Sequence, residues 1–599
     1  MLRSPRWNPL WNTDAPYLLF VPLLAFIAIL PLILHGCSCG HDFDFHLQSW
    51  LDAAAQLRHG TLNPAWTGSA AWNAGEPRFL FYPPLSWMLG AVLTVALPIS
   101  AAPATFTWLA LLGAGLAMYK LARAYAAPPA ALLASAIYLA NPYMLFTAFE
   151  RTAYGELLAA IWLPLLLLAA LQRTPSIVKL AIPLALVWLT NDPAAVIGIY
   201  MLLAIALVRI VLALLPRGQL QPSPVSARHH RAVSLLARFT AGGALGLALA
   251  AFYLLPAAYE RRFVQVAMAI VPNVRYQDNF LFGHTGDRPH DAVLHTASLL
   301  AVGLLSALLV VLLSAALTTR RADASKPRVP TDQPASTLLI LVVLAAAIAF
   351  LLTPVSALLW RYLPELAYLQ FPWRLLSIAG AILALGAALI LSRVKSSSLR
   401  WTLIAPLLAI AFVACIAAWG ITEFRQFCEA LDLPSARAQL FATHHGAPPT
   451  DEYTPTAADN DVLRWDDPSF WLSPNPSAFA ANTVPNPAAT ILNYDVPPPI
   501  AQTISGVAPH HLQLNLIRPE TLILNLRDYP AWQITRNGAL ITNHLQRDDG
   551  LLAVALPAGT STIDIRWHRT WDQRLGDFIS ACALLLLAIL VMRSRTIKA

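Results

Sequence analysis

Charged residues are scarce in this chain, since Asp, Glu, Lys and Arg together make up only 12% of its 599 residues. Soluble globular domains carry about 25% charged residues, so the composition excludes an ordinary soluble protein. Hydrophobic residues make up 57% of the chain, and the mean hydropathy is +0.57. Many apolar runs are about 20 residues long, which is enough to cross a hydrocarbon core of roughly 30 Å. The sequence therefore predicts a polytopic membrane protein.

The motifs of several enzyme classes are also missing. The sequence contains no Walker loop, dinucleotide-binding fingerprint, internal repeat or legible Ser-His-Asp arrangement. Six of its 15 histidines form adjacent pairs, and none has the spacing of a zinc ligand. The net charge of +8 does not indicate a nucleic-acid partner. The basic residues lie in short loops between apolar runs, as the positive-inside rule requires.

Cysteine is rare as well, with five residues in the whole chain. Cys415 and Cys582 lie in apolar runs, which favours a packing role. Cys37 and Cys39 begin the first polar loop, and Cys428 begins the last one. If both loops face an oxidising compartment, this placement allows a disulfide between them.

Twelve apolar segments are candidate membrane-spanning helices. They are residues 17–35, 104–121, 128–148, 156–172, 177–190, 193–214, 236–257, 293–318, 336–353, 373–392, 401–420 and 575–592. With the loops rich in Lys and Arg in the cytoplasm, both termini lie inside. The outer segments are then 36–82, 149–155, 191–192, 258–292, 354–372 and 421–574. We expect an integral protein of the bacterial inner (cytoplasmic) membrane, with its active face outward.

Residues 85–99 do not fit this count, because they are also apolar enough to cross. A crossing there would place every later basic loop outside, against the charge bias. Either this segment dips into the membrane and returns, or the charge rule fails locally near Lys120. The predicted fold is therefore a mainly α bundle of about 12–13 membrane helices.

The segment 421–574 differs in kind from the rest of the chain. Its second half alternates apolar and polar residues and carries turn signals at Asn537-Gly538, Asp549-Gly550 and Ala558-Gly559. This pattern predicts an extracytoplasmic, β-sandwich-like domain before the last helix. We divide the chain into a membrane bundle (1–420), this β-rich domain, and a last helix with a basic cytoplasmic tail (575–599).

The first outer loop, 36–82, is longer and more charged than a simple connection requires. It begins with Asp42 and Asp44, continues through an amphipathic stretch that predicts an interfacial helix, and closes on Glu76 and Arg78. Carboxylates at a membrane surface can bind a divalent cation or act as a general base, and a guanidinium can bind phosphate. The ordinary alternative is a helix cap at Asp44 and a solvated Asp42.

Other outward loops add ionisable or polar groups at the same level. These residues are Glu150, Arg151, Tyr154, Glu156, Asn191, Asp192, Glu260 and Arg374. Ionisable groups at membrane depth usually face a cavity or one another. Helix capping, snorkelling and mutual ion pairing would explain these residues without any activity. If the five loops converge on one face of the bundle, they instead predict a shared polar cleft.

The order of these features resembles the GT-C class of membrane glycosyltransferases. The resemblance lies in a first span, an outer loop with an Asp-x-Asp-like pair, an interfacial helix and a closing Tyr82-Pro83-Pro84 run. Over nearly its whole length the chain is also similar to bacterial membrane proteins catalogued as "6-pyruvoyl-tetrahydropterin synthase-related". The shared runs are 41–46, 151–156, 251–256 with Glu260, 370–374 and 529–559. That catalogue name does not guide function, because such a synthase is a small soluble zinc enzyme and no zinc triad is visible here.

The GT-C resemblance implies transfer of a sugar from a polyprenyl-phosphate donor to a lipid, glycan or protein acceptor at the outer face of the bilayer. It implies that Asp42 or Asp44 is the base or a ligand of Mg²⁺ or Mn²⁺, with Glu76 as a second acidic group. The candidate substrate-binding residues are Arg78, Arg151, Tyr154, Glu156, Glu260 and Arg374. The alternative is a non-catalytic membrane protein that binds or moves a lipid-linked glycan in envelope assembly. A secondary transporter is a third interpretation, with no inverted repeat in its favour.

Overall fold

The computed structural model describes residues 14–215, 224–324, 333–392, 399–480, 489–495 and 506–596. Its α-helices are α1 (Ala15–His35), α2 (Phe43–Arg58), α3 (Arg78–Phe81), α4 (Pro84–Ala96), α5 (Ala102–Arg123), α6 (Pro128–Leu139), α7 (Pro142–Leu145), α8 (Tyr154–Ala159), α9 (Trp162–Leu171), α10 (Ile177–Trp188), α11 (Asp192–Leu214), α12 (Val225–Leu249), α13 (Ala251–Glu260), α14 (Arg288–Ala324), α15 (Gln333–Leu351), α16 (Ala357–Tyr362), α17 (Leu376–Leu391), α18 (Leu399–Phe424), α19 (Pro434–Ala442) and α20 (Trp571–Thr596). The strands are β1 (Phe470–Ser473), β2 (Ala489–Tyr494), β3 (His511–Leu516), β4 (Glu520–Arg527), β5 (Trp532–Arg536), β6 (Ala539–Ile541), β7 (Leu551–Leu556) and β8 (Gly559–Trp567).

The helices account for the hydropathy pattern of the sequence. Within the described ranges, nine helices are long and apolar enough to cross a membrane. Two pairs bent at a short break, α6 with α7 and α15 with α16, raise the number to eleven if each pair is one span. The remaining predicted segment is α10, an apolar helix of 12 residues. The mainly α membrane fold is therefore confirmed.

The first two long helices run antiparallel. Asp14, just before α1, accepts hydrogen bonds from Arg123 Nε at 2.5 Å and Tyr119 Oη at 2.8 Å, near the end of α5. At the opposite end, Cys37 after α1 and Ala101 before α5 line one cavity. The chain therefore leaves α1 and enters α5 on the same side of the bundle.

Helix α4 contains most of residues 85–99 and does not cross between the two sides. At its start, Leu85 N–H donates to the carbonyl of Leu189 at 2.7 Å, beside the end of α10. That end lies on the same side as α8, because a Cβ on Gly155 would contact Asn191. At the end of α4, Leu97 lines the same cavity as Tyr154, the first residue of α8. Both ends of α4 therefore lie at one level, which agrees with the charge bias of the loops.

Helix α2 confirms the amphipathic stretch as a helix and packs on α4. Trp50 of α2 is fully buried and stacks on Phe106 with ring centroids 5.0 Å apart. A Cβ on Gly90 of α4 would come within 2.2 Å of the Trp50 indole. The absence of a side chain at Gly90 therefore permits the close contact between the two helices.

The segment between α18 and α20 forms two antiparallel sheets on a shared apolar core. The three-stranded sheet has the order β1-β4-β7, and the five-stranded sheet has the order β2-β3-β8-β5-β6. Leu524 of β4, Leu514 of β3 and Val554 of β7 are all fully buried in this core. The predicted Asn537-Gly538 turn joins β5 to β6, with both residues at positive φ.

The first outer loop is held by this β region. Arg527 N–H donates to the Ala74 carbonyl at 2.9 Å, and Asn525 Nδ2 donates to the Trp72 carbonyl at 3.0 Å. A disulfide joins Cys39 in the same loop to Cys428 across 389 residues. The disulfide that the sequence allowed is therefore present, with Cys39 as the partner.

Candidate active site

The first outer loop and the 149–155 loop are joined through their backbones next to Asp42. The Asp42 N–H donates to the Arg151 carbonyl at 3.0 Å. A Cβ on Gly40 would lie 2.2 Å from the Glu150 carbonyl oxygen, so only glycine fits this contact. Asp42 precedes α2, yet its side chain makes no capping hydrogen bond. Its carboxylate is therefore free to face other groups.

Four charged side chains from three segments form a continuous cluster, which we call the Asp42 cluster. Arg151 Nη2 lies 3.4 Å from Asp42 Oδ2, and Arg151 Nη1 lies 2.6 Å from Glu156 Oε2. Arg374 Nε lies 3.4 Å from the same Glu156 oxygen. The Asp42 side chain is 41% exposed, whereas those of Arg151, Glu156 and Arg374 are 6%, 7% and 11% exposed. The cluster thus has one accessible carboxylate in front of two buried guanidiniums.

The inner part of the Asp42 cluster keeps hydrogen-bonding capacity for an anion. Tyr143 Oη donates to Glu156, and Arg374 Nη1 donates to the Leu369 carbonyl at 2.8 Å. The Nε atom of Arg374 is buried and makes no hydrogen bond to a described residue, since its distance of 3.4 Å from Glu156 Oε2 gives an ion pair only. Burial alone would lower the pKa of Arg151, but the nearby Glu156 and Asp42 carboxylates outweigh it and raise that pKa. Arg151 therefore stays charged, and a phosphate could replace Asp42 as its partner.

Aromatic rings form the wall behind Asp42. The His46 ring lies 5.3 Å from that of Tyr154 and 5.7 Å from that of Tyr82, edge to face in both cases. Burial lowers the pKa of His46 to about 4, although Asp42 opposes the shift. His46 is therefore neutral at pH 7. Tyr154 packs against this histidine as a wall residue.

Asp44 faces a different arginine from Asp42. Its Oδ2 lies 2.5 Å from Arg437 Nη2, and the same nitrogen lies 2.7 Å from Asp432 Oδ1. Burial raises the pKa of Asp44, while Arg437 opposes the shift. Each member of the aspartate pair is thus engaged by its own guanidinium, which is a poor fit to a divalent cation held between them.

Glu76 and Arg78 form a buried pair beneath the β region. Arg78 Nε donates to Glu76 Oε1 at 2.8 Å, and its Nη2 donates to Thr450 Oγ1 at 3.1 Å. Thr450 N–H donates to Glu76 Oε2 at 2.9 Å. Among the described residues, this pair joins the first loop to the segment before β1, and its hydrogen bonds do not include Asp42. The contacts favour a structural role for both residues.

Glu260 also lies in a separate cluster. It is fully buried and accepts hydrogen bonds from Tyr529 Oη at 2.5 Å, Thr570 Oγ1 at 3.0 Å and Gln573 Nε2 at 2.9 Å. These contacts tie the end of α13 to the β region and to the start of α20. The Asp42 cluster thus draws on three of the five loops, those that carry Asp42, Arg151 and Arg374, and Glu260 lies outside it.

An apolar cavity of about 660 Å³ leads toward this site between α1 and α5. Its lining includes Phe26, Ile29 and Trp108, and it ends at Thr152 and Tyr154. Thr152 follows Arg151 directly in the chain, although none of the four side chains of the Asp42 cluster lines this cavity. A second cavity of about 360 Å³ lies beyond Tyr82 and is lined by Asn191, Asp192 and Gln370.

The sequence did not identify several residues that lie at the site. Arg437 and Asp432 lie in a polar segment with no recognisable motif, and Tyr143 lies inside an apolar run. Gln370 accepts a hydrogen bond from Arg374 Nη1 at 3.2 Å and has a positive φ of 63°. In the sequence, only one feature points to Gln370, which is its position at the start of the run 370–374 that ends with Arg374.

Two solved structures of arabinofuranosyltransferase AftD from Mycobacteria, the second a mutant form, align with 70% of this chain at 16% identity. The TM-scores are 0.37 and 0.39, and the chain covers 27% and 28% of those proteins. These values are too low to carry an inference about activity. No protein-family model and no curated protein matches the sequence, so the resemblance to the pterin synthase-related proteins stays a prediction.

Proposed function

We propose that this chain is a membrane glycosyltransferase that moves a sugar from a polyprenyl-phosphate donor to an acceptor hydroxyl at the outer face of the bacterial inner membrane. The Asp42 cluster is the observation that carries the proposal. It combines an accessible carboxylate with two buried guanidiniums, Arg151 and Arg374, and the chain neighbour of Arg151, Thr152, lines an apolar cavity. These are the groups needed for a base, an anionic leaving group and a lipid chain.

In the proposed reaction, Asp42 takes the proton of the acceptor hydroxyl as that oxygen attacks the anomeric carbon. The bond from this carbon to the phosphate oxygen breaks, and the configuration inverts. Arg151 and Arg374 stabilise the charge on the departing polyprenyl phosphate. Glu156 holds the two guanidiniums in place, since both contact its Oε2 atom. The atoms and charges of this reaction balance without a metal ion. Dependence on Mg²⁺ or Mn²⁺ stays a separate prediction.

A lipid donor is favoured by the apolar cavity between α1 and α5. Its lining is apolar along Phe26, Ile29 and Ile33 and becomes polar at Thr152. A polyprenyl chain in this cavity would place its phosphate near Arg151, the neighbour of Thr152. The site would thus bind the chain by apolar burial and the phosphate by charge.

The test is sugar transfer by the purified full chain in vesicles that contain polyprenyl-phosphate arabinofuranose, mannose or glucose. The wild type should release polyprenyl phosphate in the presence of an acceptor oligosaccharide, as measured by mass spectrometry. Asp42→Asn should abolish this release, because an amide cannot take the proton. The matched control is Asp461→Asn, which changes an exposed carboxylate in the segment before β1. Full transfer by Asp42→Asn would reject the proposed base.

A non-catalytic protein that binds or moves a lipid-linked glycan is the second candidate. The 360 Å³ cavity beyond Tyr82 supports it, because this cavity could hold a ligand apart from the Asp42 cluster. Retention of a donor lipid by the wild type, with no release of polyprenyl phosphate under any condition above, would favour this alternative.

A further inference from the structure

A third cavity, of about 500 Å³, lies between the β region and the membrane bundle. It is bounded by the first outer loop, the start of α4, helix α13 and, in the five-stranded sheet, the start of β5 and the end of β8, and none of its lining residues belongs to the Asp42 cluster. Its volume falls within the range of roughly 300–1,000 Å³ that is usual for small-molecule sites. We call it the tryptophan cavity.

Three indole rings line the tryptophan cavity. The rings of Trp66 and Trp532 are 5.5 Å apart, those of Trp532 and Trp567 are 5.1 Å apart, and those of Trp66 and Trp567 are 5.6 Å apart. An aromatic belt at a membrane surface would present its rings to lipid. Trp66 and Trp532 are instead only 8% exposed and lie beneath the β region. The three rings therefore face one another and the cavity.

One of these indoles has an unused hydrogen-bond donor. Trp532 lines the cavity, and its buried Nε1 has no partner among the described residues. Buried tryptophan N–H groups usually find a partner. A ligand oxygen in the cavity would provide the acceptor that the protein does not.

The rest of the lining mixes apolar and polar side chains. Asp52 and Gln56 are hydrogen-bonded to each other at 3.1 Å, whereas Asn63 and His510 offer further hydrogen-bond donors and acceptors. Arg569 also lines it, but its Nη1 is already 2.6 Å from Asp577 Oδ2. This composition suits a neutral ligand with many hydroxyl groups better than a phosphate.

We propose that the tryptophan cavity binds a saccharide, with the indole rings against the apolar face of a sugar ring and the polar side chains on its hydroxyls. The assignment of this saccharide as the glycan acceptor rests on the proposed glycosyl transfer, whereas the binding itself does not. The acceptor would then be held by the β region while its growing end reaches Asp42.

The test is direct binding of short arabinan, galactan, mannan and glucan oligosaccharides to the purified full chain in lipid nanodiscs, measured by calorimetry. At least one probe should bind the wild type. Trp532→Phe keeps the ring but removes the N–H, and should weaken binding about tenfold. Trp567→Ala removes a ring from the wall and should weaken it at least as much. The control is Trp465→Phe, which changes an indole that is half exposed.

The outcomes separate this proposal from that of glycosyl transfer. Asp42→Asn should bind the saccharide as the wild type does, whether or not it transfers sugar. Saccharide binding without any transfer would keep the tryptophan cavity and reject the transferase. No binding by any probe, or unchanged binding by both Trp532→Phe and Trp567→Ala, would overturn the saccharide site, as would binding only of anionic lipid headgroups.

Discussion

At the residue scale, the function of the Asp42 cluster depends on the difference in exposure among its members. Asp42 is partly open to solvent, while Glu156 and Arg151 are buried and bind each other. Removing one partner of a buried pair leaves an uncompensated charge, which is far more costly than losing a surface contact. Arg151 is therefore expected to contribute to stability as well as to substrate binding.

The substitution Arg151→Ala should lower the free energy of unfolding by up to about 3–5 kcal/mol, because the buried Glu156 loses its nearest cation and keeps only Arg374, 3.4 Å away. The matched control is Arg261→Ala, which breaks the half-exposed pair with Glu365 and should cost less than about 1 kcal/mol. Unfolding in mixed detergent micelles, followed by far-UV circular dichroism, compares the two. Equal effects would show that the Arg151 pair is not buried as described.

The sequence identified Asp42, Arg151, Glu156 and Arg374, and the structure brings these four residues together. Each one lies in or beside a polar segment between apolar runs, so its position between spans already limited where it could lie. Glu76 and Glu260 carried the same signal, yet both are enclosed by contacts with residues beyond 440. No local pattern shows that such a distant segment covers them.

At the element scale, Glu260 connects α13, the β region and α20. Burial, with a smaller contribution from Asp572, raises the pKa of Glu260 to about 6. The folded chain therefore holds this proton more tightly than the unfolded chain, whose pKa is near the usual 4.5. Protonated Glu260 therefore contributes fully to the free energy of unfolding below pH 4.5, and this contribution is lost as the pH rises through 6.

The substitution Glu260→Gln should remove this pH dependence, which is on the order of 2 kcal/mol. We expect the melting temperature of the wild type to fall between pH 4.5 and pH 7 by more than that of Glu260→Gln. Differential scanning fluorimetry in detergent measures both. Glu365→Gln, which changes an exposed carboxylate, should respond to pH as the wild type does, and an identical response of Glu260→Gln would contradict the prediction.

The disulfide between the first and last outer loops has a second thiol beside it. Cys37 Sγ lies 3.5 Å from Cys428 Sγ, so Cys37 can replace Cys39 as the partner. We expect Cys39→Ser to keep the two loops linked and Cys428→Ser to separate them. Limited proteolysis between the loops, followed by gels with and without reductant, distinguishes the cases. Separation of the two loops in Cys39→Ser would show that Cys37 does not replace Cys39 as the partner of Cys428.

At the scale of the whole molecule, the path of α4 sets the side on which every later loop lies. Residues 85–99 are as apolar as a membrane span, and hydropathy alone could not decide whether they cross. The structure places both ends of α4 on the side of the bundle where α10 ends and α8 begins. Tertiary contacts with α2, which do not depend on hydropathy, determine this path.

Cysteines introduced before and after α4 should therefore be modified from the same side of the membrane. In a background that keeps only Cys39 and Cys428, Leu62→Cys and Ser100→Cys should both react with an impermeant maleimide added to intact spheroplasts. Ser226→Cys, in the basic first turn of α12, should react only after lysis. Modification of Leu62→Cys and Ser100→Cys from opposite sides would show that α4 crosses.

The link between Cys39 and Cys428 also constrains how the protein is made. The ribosome completes 389 further residues after the first partner emerges, which takes about 20–80 s at ordinary elongation rates. During that interval Cys39 cannot form its bond to Cys428. The loop that carries Asp42 is therefore fastened only after 428 of the 599 residues have been made, and a nascent chain truncated before Cys428 would reach the membrane without this link.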